Sequence, residues 1–464
     1  MLGLPARMPS ATLTMAMTGT VMVVLAWLVL GRFAVGSVRG TRAATAQPVT
    51  TGPHHAAVGD PSHSRAPTFS RDVYSYLAQS EITARGLDPY EIGPASALGV
   101  DNVLTRTVPN IWRETPAPYG PLFLWMGRGI TWLTGDNIVA GIFLHRLLAL
   151  AGVAMIVWAL PRLARRCGVS SVSALWLGAL NPLALFHLVA GIHNEALMIG
   201  LMLAGVELAL RAIEGADPIR GRALLRPLAG TTLIALSSTI KIPSLLALGF
   251  VGMALARRWG ANLKALASAA ALLAVVAIAV TLFVSVASGL GMGWMKTLDT
   301  ATEVRSWMSI PTLLGLGTGL VGVLLGLGDH TTAVLSLTRP IASLVAAFIT
   351  LRMLVAVLVG RIHPVGALGV SLGAIVLLFP VVQPWYLLWA VIPLAAWATR
   401  PVFRIPAIAF SSFVSVILMP NGAEYEPFMI VQAAVATAIA SVVLMLLTRK
   451  KLLWRAQPGT TGQA

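Results

Sequence analysis

In the stretch Ser70-Arg71-Asp72-Val73-Tyr74-Ser75-Tyr76 an aspartate is followed by alternating aromatics. A carboxylate beside Tyr74 and Tyr76 suits a general base taking a proton from an acceptor hydroxyl, with the rings as a sugar-facing platform. The plainer alternative is an ordinary charge at a helix N-terminus. His193-Asn194-Glu195 could bind hydroxyl groups, or form a His–Glu pair holding two helix ends; its spacing is not that of an HExxH zinc motif. Lys241, in SSTIKIP (237–243), and Arg305, in VRSW (304–307), are cations in apolar surroundings. Two such charges at one pocket suit a phosphate, the guanidinium contacting it bidentately, whereas isolated ones simply snorkel to an interface. Gln383-Pro384-Trp385-Tyr386 offers an amide and two aromatics, either for stacking on a sugar or prenyl chain or as an aromatic belt.

Other chemistry is poorly supported. No Walker loop, and no GxGxxG at a strand-to-helix junction, implies a nucleotide site. The single cysteine, Cys167, rules out an intramolecular disulfide and a multi-cysteine metal site, and reads as a small apolar filler near a helix end. His54, His55 and His63 fall in a polar tract rather than a metal-ligand pattern, so no metal residues are assigned.

The frame around these residues is a membrane bundle. The chain has 464 residues, 57% hydrophobic and 11% charged, with a mean hydropathy of +0.81, which places it among multi-span membrane proteins. Long apolar runs without dyad alternation mean helices rather than a barrel. The formal charge of +16 does not point to a nucleic acid, because the arginines cluster in short loops between apolar runs, as the positive-inside rule describes.

Residues 13–34 are long enough for an anchor helix, and no small-residue cleavage site follows them. Residues 39–68, rich in Ala, Thr, Pro and His, read as a polar linker. From Ser70 the spacing of Val73, Tyr76, Leu77 and Ala84 predicts a short amphipathic helix over 70–85 on the membrane surface, with Ser70 as N-cap.

Further apolar segments run near 139–160, 172–190, 195–213, 228–240, 244–256, 265–288, 333–358, 365–382, 384–399, 405–419 and 427–447. The pair 228–240 and 244–256 reads as a tilted hairpin with Lys241 near its apex, and 122–134 and 310–327 as re-entrant or surface helices. Placing the basic loops inside brings His193-Asn194-Glu195, Lys241, residues 289–308, Gln383 to Tyr386 and Asn421 to Glu426 together outside, with Asp72 on the same face. The expected organisation is therefore an anchor (1–38), a linker (39–69), a transmembrane domain (70–455) and a cytoplasmic tail (456–464).

An enzyme outside the membrane lacks nucleotide sugars, so a lipid-linked phosphosugar is the natural activated donor. Its phosphate leaving group needs cation stabilisation more than an acid. One base and one or two cations then suffice for a single inverting displacement, whereas a double displacement would need a second, close carboxylate. A transporter or lipid-sugar flippase, with buried His, Glu and Lys lining a pathway, is the alternative. The sequence lacks the internal repeat that transporters usually show.

The chain resembles the GT-C-type, polyprenol-phosphate-mannose-dependent α-(1→6)-mannosyltransferases of actinobacterial lipomannan synthesis. The resemblance rests on SRDVYSYLAQSE with GLDPYEIGPAS (70–96), WRETPAPYGPLFLW (112–125), LNPLALFHLVAGIHNEALM (180–198) and SSTIKIPSLLA (237–247). It continues through VRSWMSIPTLL (304–314), GLGDHTTAVLSLTRP (326–340) and FPVVQPWYLLWA (379–390).

The resemblance implies an all-α polytopic bundle whose first extracytoplasmic loop carries short interfacial helices. It implies inverting transfer of mannose from polyprenyl-phosphate mannose to a mannan lipid or mannosylated phosphatidylinositol, on the outer face of the plasma membrane. Asp72 falls on the family's presumed base. A divalent cation is compatible with this chemistry but not required by it, and an arabinosyl donor on the same scaffold is a further alternative. The family normally has an apolar span just ahead of the SRDVYSY motif, and more chain before this N-terminus. A shortened start with a locally shifted reading frame over 39–68 would account for both departures.

Overall fold

The computed structural model describes residues 9–35, 69–299, 306–418 and 426–452, and among them every regular element is helical. The polar linker, the tail and Arg305 lie outside the described residues. Among the described residues six helices are long and apolar enough to cross a membrane. These are α1 (Pro9–Val35), α6 (Ile138–Arg166), α9 (Glu195–Ile213), α12 (Leu263–Ala287), α14 (Thr331–Leu358) and α18 (Pro427–Leu452). Between α6 and α9, α7 (Ser171–Leu177) and α8 (Pro182–Ala184) form with Leu185–Ala190 a span bent by 55°. The bend sits at Asn181, fully buried, whose side chain accepts from Leu183 N and donates to Ser411 Oγ, so the freed backbone at the break is satisfied within the protein.

The tilted hairpin forms as α10 (Leu225–Ser238) and α11 (Leu246–Arg258), with Lys241 in the turn between them. Segments 122–134 and 310–327 become α5 (Pro121–Thr134) and α13 (Ile310–Leu324), 14 and 15 residues long. The apolar segments at 365–382, 384–399 and 405–419 form shorter helices than their runs. α15 (Pro364–Leu378), α16 (Leu387–Trp397) and α17 (Pro401–Ile417) are each shorter than the ~20 residues a crossing needs. Pro380 forces Phe379 into extended backbone and ends α15, and Pro384 keeps Gln383 extended and opens a 3-10 turn that leads into α16.

α9 is the axis of the bundle, with 78% of its apolar window buried inside the protein. Small residues let its neighbours approach: a Cβ on Gly152 of α6 would strike the Ala196 carbonyl, and one on Gly200 would strike Gly152. Gly205 and Gly230 form the same seam between α9 and α10.

At the far end of α9 the buried Glu207 receives both Arg166 Nε (2.7 Å) and Nη2 (2.9 Å), while Arg166 Nη1 reaches Glu214 at 3.0 Å. Glu214 also meets His363 Nε2 at 2.9 Å, and the other His363 nitrogen caps α15 at Val365 N. Burial works against the Glu214 charge, but the bonds from His363 and Arg166 outweigh it and hold the carboxyl below its ordinary range. The stabilisation is therefore present above the usual carboxylate titration range and is lost as pH falls through the depressed value. Arg166 thus ties α6 to α9 as well as marking the basic end.

Two tests follow at this end. Replacing Arg166 by Met leaves the buried Glu207 charge unpaired and should cost about 3–5 kcal/mol, read as a lower unfolding temperature in detergent. Adding Glu207→Gln should recover part of the loss. Burial, reinforced by the Glu214 charge, pushes the Cys167 thiol up to about 12. Since the thiolate is the nucleophile, Cys167 should resist maleimide labelling at pH 8 until the protein is denatured.

Candidate active site

Asp72 opens α2 (Asp72–Ala84), where the N-terminal dipole favours a carboxylate. The cap position is Arg71 rather than Ser70, but the Ser70 hydroxyl still accepts from Asp72 N at 3.1 Å. The expectation of a surface helix is corrected. Nine residues of α2, from Val73 to Thr83, are buried, because α5 and α6 pack over it. Gly127 of α5 and Gly141 of α6 allow this approach, since a Cβ on either would meet Ser80 Oγ or Leu77 Cδ2. Asp72 keeps a window at the head of the helix, with its side chain 20% exposed.

Tyr76 turns inward. Its ring packs edge-on against Tyr119 and Phe123, with centroids 5.1 and 4.8 Å away, and its hydroxyl accepts from Asn194 N at 3.3 Å. It anchors α2 to the turn before α9 instead of offering a platform, and Tyr74 is only partly buried. Burial, then the charge of Asp72, holds both the Tyr76 and Tyr119 phenols well above the ordinary tyrosine range, so both stay protonated.

The turn before α9 brings the next group. His193 Nδ1 lies 3.3 Å from Asp72 Oδ2 and 3.8 Å from Glu195 Oε2. Glu195 is fully buried at the head of α9 and receives Lys241 Nζ at 2.5 Å. Lys241 also donates to the Tyr386 hydroxyl at 3.1 Å and lies over the Tyr386 and Trp389 rings at 4.3 and 5.6 Å. Burial opposes the ammonium charge, but the Glu195 carboxylate outweighs it and keeps Lys241 above the usual lysine range.

The Lys241 turn is itself held by the loop entering α5: Gly120 N donates to Ile240 O and Leu122 N to Thr239 O. Trp385 stacks on His193 with centroids 3.8 Å apart, and Gln383 sits at the cap of the 3-10 turn that carries it.

One end of the bundle therefore gathers Asp72, Tyr76, His193, Asn194, Glu195, Lys241, Trp385 and Tyr386 from four separate stretches of chain. Residues 293–299 approach the same end, where Gly293 abuts Tyr90. Sequence reasoning missed His187, Tyr119 and Trp389. His187 is fully buried, 5.4 Å from the His193 ring and 5.3 Å from Trp385. An ionisable residue inside the apolar run LFHLVAGIH was the available signal.

Buried polar atoms of His187, His193, Asn194 and Glu195 lack hydrogen-bond partners within the protein. Among the described residues no group of three or more His, Cys, Asp or Glu side chains is arranged to hold a metal ion.

A family model described as Alpha-(1->6)-mannopyranosyltransferase, N-terminal domain, matches residues 2–257, and one described as MptB C-terminal domain matches residues 311–446. A protein of Mycolicibacterium smegmatis named a probable alpha-(1->6)-mannopyranosyltransferase is 55% identical over 99% of this chain and 84% of its own length. An alpha-(1->6)-mannopyranosyltransferase of Mycobacterium tuberculosis is 54% identical over 98% of this chain and 83% of its own. Alpha-(1->6)-mannopyranosyltransferase B of Corynebacterium glutamicum is 45% identical over 77% of this chain and 60% of its own. No solved structure matches the chain.

The Gly120 contact gives a local test. A Cβ at this position would overlap the Thr239 carbonyl, which is backbone and cannot swing away. Gly120→Ala should displace the turn that carries Lys241 and lower turnover ~10²-fold, the scale expected of an ångström-sized misplacement. Elution of the variant from size exclusion in detergent should be unchanged.

Proposed function

The chain belongs to the alpha-(1->6)-mannopyranosyltransferase family, and from that membership and the site described above we propose a specific reaction. Mannose passes from polyprenyl-phosphate mannose to a mannan lipid, forming the α-(1→6) linkages of the lipomannan core with inversion at the anomeric carbon. The site faces the extracytoplasmic side of the plasma membrane. The observation that carries this reading is Asp72, a carboxylate with one exposed window, set near a partly buried cation and an aromatic wall at the end of the bundle opposite the Arg166 cluster.

Asp72 takes the proton from the acceptor hydroxyl as its oxygen attacks the anomeric carbon. The bond from that carbon to phosphate breaks, and the polyprenyl phosphate leaves with the electron pair. Lys241, with Arg305, offsets the charge that develops on the phosphate. Tyr74, Gln383, Trp385 and Tyr386 guide the sugar and prenyl chain, and Asn194 and Glu195 supply polar contacts below them. The basic clusters at the opposite end, including Arg166 and Arg258, support the orientation through the positive-inside rule.

The test is a membrane assay with radiolabelled polyprenyl-phosphate mannose and a short mannoside acceptor, with linkage analysis of the product. Asp72→Asn should lower kcat by ~10²–10⁴-fold, the usual worth of a general base, while the protein still folds. Turnover at the wild-type rate would reject Asp72 as the base, and a product without α-(1→6) linkage would reject the reaction.

A further inference from the structure

His193 has no exposed surface, so no face of its ring is open to an acceptor. Its Nδ1 lies 3.3 Å from Asp72 Oδ2 and 3.8 Å from Glu195 Oε2, both carboxylate oxygens. An ionised carboxylate only accepts, so the hydrogen belongs on Nδ1. The ring is fixed on both sides: Trp385 stacks on it at 3.8 Å with planes 28° apart, and the His187 ring, also fully buried, lies 5.4 Å away.

The backbone is shaped for this arrangement. Leu185–Ala190 winds as a π-helix, a form that often marks functional sites. Ile192, a β-branched residue, sits at φ 59°, where such side chains are strained. His193 N then bonds back to His187 O at 3.2 Å. Upstream, Phe69 stacks on Phe186 at 4.4 Å, which fixes the chain entering Asp72 to the same π-helical segment. Burial, strain and stacking thus all serve to present one ring nitrogen to one carboxylate.

We propose that His193 is a positioning residue for Asp72: its Nδ1–H holds Oδ2 and leaves the other carboxylate oxygen for the acceptor hydroxyl, while Trp385 and His187 lock the ring. This assigns His193 a different role from the hydroxyl binding expected from sequence, and it rests on the reading of Asp72 as the base. At 3.3 Å the contact is at ion-pair distance, and a small turn of the carboxylate completes the hydrogen bond, as catalytic contacts commonly tighten on substrate binding.

A hydrogen bond to the charged form of a carboxylate lowers its pKa, so losing this one moves the acid limb of the kcat–pH profile to higher pH. The other charged or titratable groups around Asp72 are Arg71 beside it in the chain, Tyr76 on α2, and Glu195 with its partner Lys241. Among the described residues, Tyr119 in the loop before α5, Tyr386 ahead of α16 and His187 against the His193 ring are the others. All of these are retained in the His193 variants.

The experiment compares His193→Phe, which keeps a stacking ring without a donor, with His193→Asn, whose amide N–H replaces Nδ1–H. In the mannosyl-transfer assay His193→Phe should lower kcat ~10²-fold, leave the acceptor KM near the wild-type value and move the acid limb upward. His193→Asn should return the limb to its wild-type position and recover most of the rate. If His193→Phe fails to fold, His193→Gln replaces it, because its longer side chain carries the amide past the Nδ1 position; only Asn should then keep the limb.

An unchanged limb in the donor-less variant would overturn the proposal. So would a raised acceptor KM at unchanged kcat, or an Asn variant no better than the variant without the donor. Asp72→Asn is the control: if it turns over normally, the base assignment itself fails. If it is inactive while His193→Phe keeps the wild-type rate and profile, only the positioning role fails.

Discussion

Glu195 is a carboxylate with no exposed surface at the head of the most enclosed of the six long apolar helices described, and such a charge cannot be left alone. Three features make it tolerable. The N-terminus of α9 contributes its dipole, Lys241 brings an opposite charge to 2.5 Å, and Tyr386 with Trp389 gives the ammonium a π face. Each partner comes from a different part of the chain. Satisfying one buried charge therefore draws the α10–α11 turn and the turn before α16 to the same end of α9. Asp72 arrives there through Tyr76, whose hydroxyl takes the Asn194 N–H one residue before Glu195.

The other end of α9 repeats the logic with a different outcome. Glu207 and Glu214 are satisfied by one guanidinium from α6 and one imidazole ahead of α15, and Arg166 makes a two-bond fork to Glu207. Because the fork is planar and rigid, it fixes the axial register of α6 against α9, and the Gly152–Gly200 contact allows the two backbones to meet at that register. A slip along this seam would break the fork and shift the Glu195 end together. The geometry near Asp72 thus depends on contacts at the far side of the bundle.

Much of this was legible from the sequence. Long apolar runs located the main spans, and the alternation of basic loops grouped Asp72, His193, Glu195, Lys241, Trp385 and Tyr386 at one end, where the structure brings them together. What escaped depended on tertiary contact. The helix from Asp72 has the spacing of an amphipathic surface helix, yet its Ser75, Gln79, Ser80 and Thr83 are all buried. The bend at Asn181 has no signal beyond an Asn-Pro pair. Arg166 looked like one more topological arginine, because its partners are 41 and 48 residues away in sequence. His187 was hidden by its apolar neighbours.

A base must be reachable by substrate and held still, and these demands conflict within one side chain. Exposure that admits an acceptor also admits water and rotamer freedom. The fold separates the two demands by depth. Asp72 keeps 20% of its side chain open, while the imidazole 3.3 Å behind it and the ring behind that have no exposure. Such layering is available only to a bundle that breaks a helix near its end, because a regular span would carry His187 and His193 on different faces: six residues turn an ideal helix through about 600°, leaving the two about 120° apart. The π-helical turn and the left-handed Ile192 bring the rings within 5.4 Å, so the local irregularity is what converts two buried histidines into a support for one carboxylate.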